Sequence, residues 1–167
     1  MAKKASIRVS KRSAKVKAPP PRPKKVEAKK PDKPPAPKIE ALEWDAFSDS
    51  YFDTAIWAEK PEDCDADVWP GCYPKILQDC DRFQRENEEL LNEAYQTMTR
   101  DGYGHIRLYD VTDAGHDFFL SRNGHGTGFW DRGLGEVGDK LHEAASAFGG
   151  VDVLPGEGEQ EDWLFIE

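Results

Sequence analysis

An α+β fold, with a small antiparallel sheet packed against two to three helices behind a disordered basic arm, follows from three observations. Charge divides the chain in two: residues 1–40 hold 14 of the 23 Lys and Arg and 3 acids, whereas residues 41–167 hold 9 bases and 29 acids. Apolar residues at steps of three and four mark helices early in the acidic part. Short β-type runs bounded by Gly, Pro, Asn and Asp cluster late, a segregation that α/β folds do not show.

The arm carries a net +11, eight prolines and no aromatic residue. Such a composition buries too little apolar surface to offset the entropy of ordering, and it predicts disorder with polyproline II character over residues 1–40. It has no apolar core of a secretory signal, and its prolines disfavour the amphipathic helix of a mitochondrial presequence. Its bases are the expected nucleic-acid contacts: Lys3, Lys4, Arg8, Lys11, Arg12, Lys15, Lys17, Arg22, Lys24, Lys25, Lys29 and Lys30. The chain contains no run of 18 apolar residues, so no membrane partner is expected.

Residues 41–167, at −20, are long enough for one core. "WDAFSDSYFDTAIWA" sets Trp44, Phe47, Tyr51, Ala55 and Ala58 at helical spacing, with Ser48 or Ser50 as the expected cap. The Pro/Gly/Asp-rich stretch "EKPEDCDADVWPGCYP" reads as a loop pinned by Trp69 and Tyr73. "PKILQDCDRFQRENEELLNEAYQTM" reads as one long helix, with Pro74 in its first turn and an apolar face running from Ile76 through Phe83 and Leu91 to Met98. "GHIRLYDV" reads as a strand. "LGEVGDKLHEAASAFGG" reads as a second amphipathic helix ended by Gly149, and "VDVLPGEGEQEDWLFIE" as two strands around a Pro-Gly turn.

Between these elements lies "GHDFFLSRNGHGTGFWDRGLG", which packs two histidines, two arginines, two aspartates and four aromatic rings into residues 115–135. Asn123-Gly124 is a strong two-residue hairpin signal, because a type I′ turn needs positive φ at both positions. The implied register sets Arg122 opposite His125, Phe118 opposite Phe129 and His116 opposite Asp131; a longer loop with His125 at its tip is the alternative. On the hairpin reading His116 and Asp131 form an acid-base or orienting pair, with Arg122 as anion binder and His125 as second base. The bland account makes the same residues a cross-strand hydrogen bond and a solvated turn. Asp117 and Asp131 are the weak candidates for a divalent metal; otherwise no metal and no cofactor is expected. Cys64, Cys72 and Cys80 are odd in number and lack zinc spacing, which fits reduced thiols. G-x-S-x-G, H-E-x-x-H and Walker signatures are missing from the sequence.

"YFDTAIW", "AGHDFFLSRNGHGTGFWDRGLGEVGDKL" and "AFGGVDV" resemble a family of small acidic proteins of tailed bacteriophages and prophages, whose members usually read close to "GHDFWLTRNGHGAGFWDRG" followed by a helix and a strand. The resemblance spans about residues 47–154. Phe119 stands where the family usually has Trp, "LPGEGEQEDW" replaces a usual "YVGDDG" turn, and the basic arm and the insert near "GYGHIRLYDV" are not typical. It implies a phage origin and a place in the bacterial host's cytoplasm, and supplies no chemistry. The expectation is therefore a phage-encoded accessory protein acting by binding, through host-factor modulation or nucleic-acid association, with the arm as an anchor. A small hydrolase or nuclease built on His116, Asp131, His125 and Arg122 is the alternative.

Overall fold

The structure is a computed structural model that describes residues 43–167. The arm expected over residues 1–40, with its candidate nucleic-acid contacts, lies outside them. The described part is α+β, with five helices where two to three were expected, and two small sheets.

The first helix, α1 (Ala46–Glu59), buries Phe47, Tyr51 and Ala55 as their spacing requires. Its cap is Asp45, not Ser48 or Ser50: the Ser48 N–H donates to Asp45 Oδ1 at 2.7 Å. A carboxylate is the stronger acceptor at the positive end of a helix. Ser50 instead donates to the Thr112 carbonyl at 2.6 Å, tying α1 to a later helix. The following loop contributes a two-residue strand, β1 (Asp67–Val68), and a 3₁₀ turn at Pro70–Cys72. Trp69 packs edge-on against Trp163 at 4.9 Å, so it pins the loop as its sequence suggested.

The long helix expected from Pro74 to Met98 divides into α2 (Tyr73–Glu86) and α3 (Glu88–Ala94). Asn87 makes the break, its amide donating to the Phe83 carbonyl at 2.9 Å while its backbone leaves helical geometry at φ −123° and ψ 22°. Such local side-chain hydrogen bonds compete with the helical ladder. Met98 starts β2 (Met98–Arg100), which pairs antiparallel with β3 (Ile106–Leu108), the strand read in "GHIRLYDV".

The hairpin expected around Asn123-Gly124 does not form. Its first arm lies in a helix, α4 (Val111–Asn123), and its second arm is a loop leading to a 3₁₀ turn at Phe129–Asp131. Asp110 and Asp113 close a capping box at the start of α4, and Gly124, at φ 68°, ends it. Asn-Gly signals positive φ, and a helix terminus uses that geometry as readily as a type I′ turn does. Gly115 permits the close crossing of α4 on α1, since a Cβ there would run into the Phe47 carbonyl. The resulting core is aromatic: the Phe83 and Phe118 rings stack at 4.1 Å, and Phe129 lies 5.7 Å from Phe83.

The last helix, α5 (Glu136–Ser146), buries Val137, Leu141 and Ala145, and Gly149 takes φ +75° three residues beyond its end. The closing strands β4 (Val153–Pro155) and β5 (Trp163–Ile166) pair antiparallel as expected. β1 adds to the other edge of β5 in parallel, so this sheet is mixed. Among the described residues no helix is long and apolar enough to cross a membrane.

Candidate functional site

The middle of α4 places His116 and Asp117 side by side, and the chain leaving the Phe129–Asp131 turn brings Arg132 back to them. Asp117 is fully buried, which is costly for a carboxylate unless it is paired and hydrogen-bonded. Four polar side-chain atoms surround it. Arg132 approaches through Nε at 2.9 Å and Nη2 at 2.7 Å, the Tyr109 hydroxyl donates at 2.9 Å, and His116 Nδ1 lies at 3.0 Å. Burial, reinforced by the Asp117 charge, holds the Tyr109 hydroxyl well above the usual phenol range, so it remains a donor. The hydrogen bonds to Asp117 raise Arg132 above its ordinary value despite partial burial. Thr99 fixes the loop by donating to the Arg132 carbonyl at 2.8 Å.

His116 is the partly open member, with its side chain 36% exposed. Its Nδ1 also lies 3.3 Å from Arg132 Nη2, so this ring nitrogen sits between the Asp117 carboxylate and the guanidinium. Two recesses meet at this residue. One, of 360 Å³, is bordered by Arg100, Arg107 and Arg132; the other, of 550 Å³, runs along α1 past Asp49, Asp53 and Trp57.

An imidazole held by a buried carboxylate is the arrangement used to orient a base. The hydroxyls beside it are committed elsewhere: Ser50 to the Thr112 carbonyl, and Thr112 to Asp110 Oδ1 at 2.6 Å. The three guanidinium groups also have acceptors. Arg100 donates to the Gly104 carbonyl at 2.7 Å, Arg107 to both oxygens of Asp113 at 2.6 Å, and Arg132 to Asp117. The Arg107 and Arg132 charges are thereby offset by carboxylates, whereas Arg100 meets a neutral carbonyl.

The sequence-derived candidates do not assemble into one site. Asp131 does not meet His116; it caps its own 3₁₀ turn, accepting from Thr127 Oγ1 at 2.7 Å and from the Gly128 N–H at 3.0 Å. Burial works to raise its pKa, but these hydrogen bonds prevail and hold it below the usual carboxylate range. His125 is not at a hairpin tip; its Nε2 pairs with Glu59 at 2.8 Å and its ring stacks on Phe119. Arg122 is buried rather than solvated. It donates to the Tyr51 hydroxyl at 2.9 Å and the Gly149 carbonyl at 2.8 Å, with Asp79 at 3.3 Å. Asp117 and Asp131, the weak metal candidates, serve these separate networks. Among the described residues no group of three or more His, Cys, Asp or Glu is placed to hold a metal ion.

Sequence reasoning missed Tyr109, Arg107 and Arg132, and gave Asp131 the partner role that Asp117 fills. The available signal was the "HD" and "DR" dipeptides at 116–117 and 131–132, once residues 111–123 are placed in a helix. No family model, curated protein or solved structure matches the chain.

Proposed function

We propose that this is a phage-encoded accessory protein that acts by binding in the cytoplasm of the bacterial host. Its acidic domain engages a basic surface of a host protein, and its basic arm anchors it on nucleic acid. One observation carries the reading: among residues 43–167, 23 acidic side chains are exposed against five basic ones. A surface of that sign repels phosphate and complements the cationic grooves in which proteins hold nucleic acids. The polar residues of the central block add to this, since most of them tie α4 to its neighbours.

The test is capture from host cells with the full chain and with a variant lacking residues 1–40. A discrete host protein retained by both, released by salt and displaced by duplex DNA, is the expected result. Capture of bulk nucleic acid that disappears with the arm, and no protein, would leave only the tether. The His116–Asp117 pair favours a second reading, a hydrolase or nuclease with His116 as base. Turnover of a phosphodiester or ester substrate that is lost in His116→Ala would establish it.

A further inference from the structure

We infer that the groove along the outer face of α1 is a docking site for a basic, extended segment of a partner protein, holding lysine or arginine side chains at alternate positions. The inference rests on the binding reading above and gives that reading a location. Trp57 is the first ground. It lies 77% exposed near the end of a well-packed helix, where core formation does not use it. Tryptophan is the residue type most enriched where partners dock, because it offers a large rigid apolar face.

The second ground is charge. Asp49, Asp53 and Trp57 follow one another at i, i+4 and i+8, so they share one face of α1. Among the described residues no hydrogen bond or ion pair engages either carboxylate. Two like charges one turn apart repel each other along the helix face. A cationic partner removes that repulsion.

The third ground is shape. The face is the wall of a 550 Å³ recess closed on its other side by Thr112 and His116 of α4. Side chains four residues apart on a helix lie about 6 Å apart along its axis. Residues i and i+2 of a β-type extended segment share one face about 6 to 7 Å apart, so alternate lysines meet Asp49 and Asp53 in register. A cation reaching Trp57 gains the face of the indole.

The probe is the peptide Ac-Gly-Lys-Gly-Lys-Gly-NH2, titrated into the full chain while the five indole N–H resonances are followed by NMR. Its glutamate counterpart is the control. The lysine peptide should shift the Trp57 resonance saturably, and the glutamate peptide should not. Asp49→Asn with Asp53→Asn should weaken binding at least tenfold. Glu88→Gln with Glu89→Gln, an equal charge loss on the exposed face of α3, should weaken it less than threefold. Equal losses in the two double variants would overturn the groove assignment while leaving general acidic attraction intact. Binding that leaves the Trp57 resonance unmoved would place the site elsewhere. No lysine-dependent shift at any salt concentration would overturn both the groove and the electrostatic reading.

Discussion

Replacing Arg132 by Met is the most informative perturbation of the fold, because it removes a charge and keeps the aliphatic stem. Arg132 supplies the bidentate cover of Asp117, with Nε at 2.9 and 3.0 Å and Nη2 at 2.7 Å. Without it a fully buried carboxylate retains only the Tyr109 hydroxyl and His116 Nδ1. Removing one partner of a buried pair costs about 3–5 kcal/mol, since the remaining charge is left uncompensated. Domains of this size have about 5–15 kcal/mol in total, so the variant should approach the edge of stability.

Asp117→Asn should cost a similar amount, because it removes the charge that Arg132 and Tyr109 were arranged around. The double variant should then lose less than the sum of the two, by about 2 kcal/mol or more. Urea unfolding of the full chain at neutral pH, followed by tryptophan fluorescence, reads all four corners of the cycle. An Arg132→Met protein within about 1 kcal/mol of the parent, or strictly additive losses, would show that Asp117 does not depend on Arg132. The account of the central block as a structural tie would then fail.

Asn123 and Gly124 should both matter, through helix termination and not through a hairpin. Asn123 brackets Val151, its amide donating to the carbonyl at 2.6 Å and its oxygen accepting from the N–H at 3.1 Å, so Asn123→Ala should cost about 1–3 kcal/mol. Gly124→Ala should cost about 1 kcal/mol for its positive φ, both read by thermal or urea unfolding. Thiol titration should find one readily modified cysteine in the folded protein and three after denaturation. Cys64 is half-buried, whereas Cys72 and Cys80 are buried, and burial pushes the Cys80 thiol up to about 12. Three carboxylates should make stability fall as pH drops below about 4. Asp45, Asp110 and Asp131 have folded pKa values below the usual range because hydrogen bonds outweigh burial, so their contribution is present above the unfolded value and lost as pH falls through the folded one. A midpoint near pH 6 in urea unfolding at graded pH would contradict this.

Elements with a strong apolar period were legible in the sequence: Phe47, Tyr51 and Ala55 on α1, and Val137, Leu141 and Ala145 on α5, are all buried as their spacing requires. Two misreadings have a shared cause, local signals with more than one structural use. Asn87 lies inside a continuous apolar period, and only its bond to the Phe83 carbonyl divides the helix. In α4 both Phe118 and Phe119 are buried, together with Leu120, Ser121 and Arg122, so the helix is enclosed on most sides and shows no amphipathic stripe. A helix buried all round leaves periodicity mute, and the Asn-Gly signal then decided wrongly. The overlooked information lay upstream, in Asp110 and Asp113, whose spacing is that of a capping box.

The same misplacement explains the candidate site. In a hairpin His116 opposes Asp131; in a helix followed by a 3₁₀ turn it is Arg132 that returns, and Asp117 becomes the shared acceptor. The histidines separate as well, because His125 folds onto Phe119 and Glu59 while His116 opens on the groove. A cluster of polar residues therefore need not mark chemistry. Arg122, Asn123, Asp117 and Arg132 each close a buried or half-buried tie between separate elements, which gives these polar side chains a structural use. His116 stands apart, since it completes one tie and also faces outward. A loss of binding in His116→Ala that exceeds its loss of stability would locate function at this one position of the block.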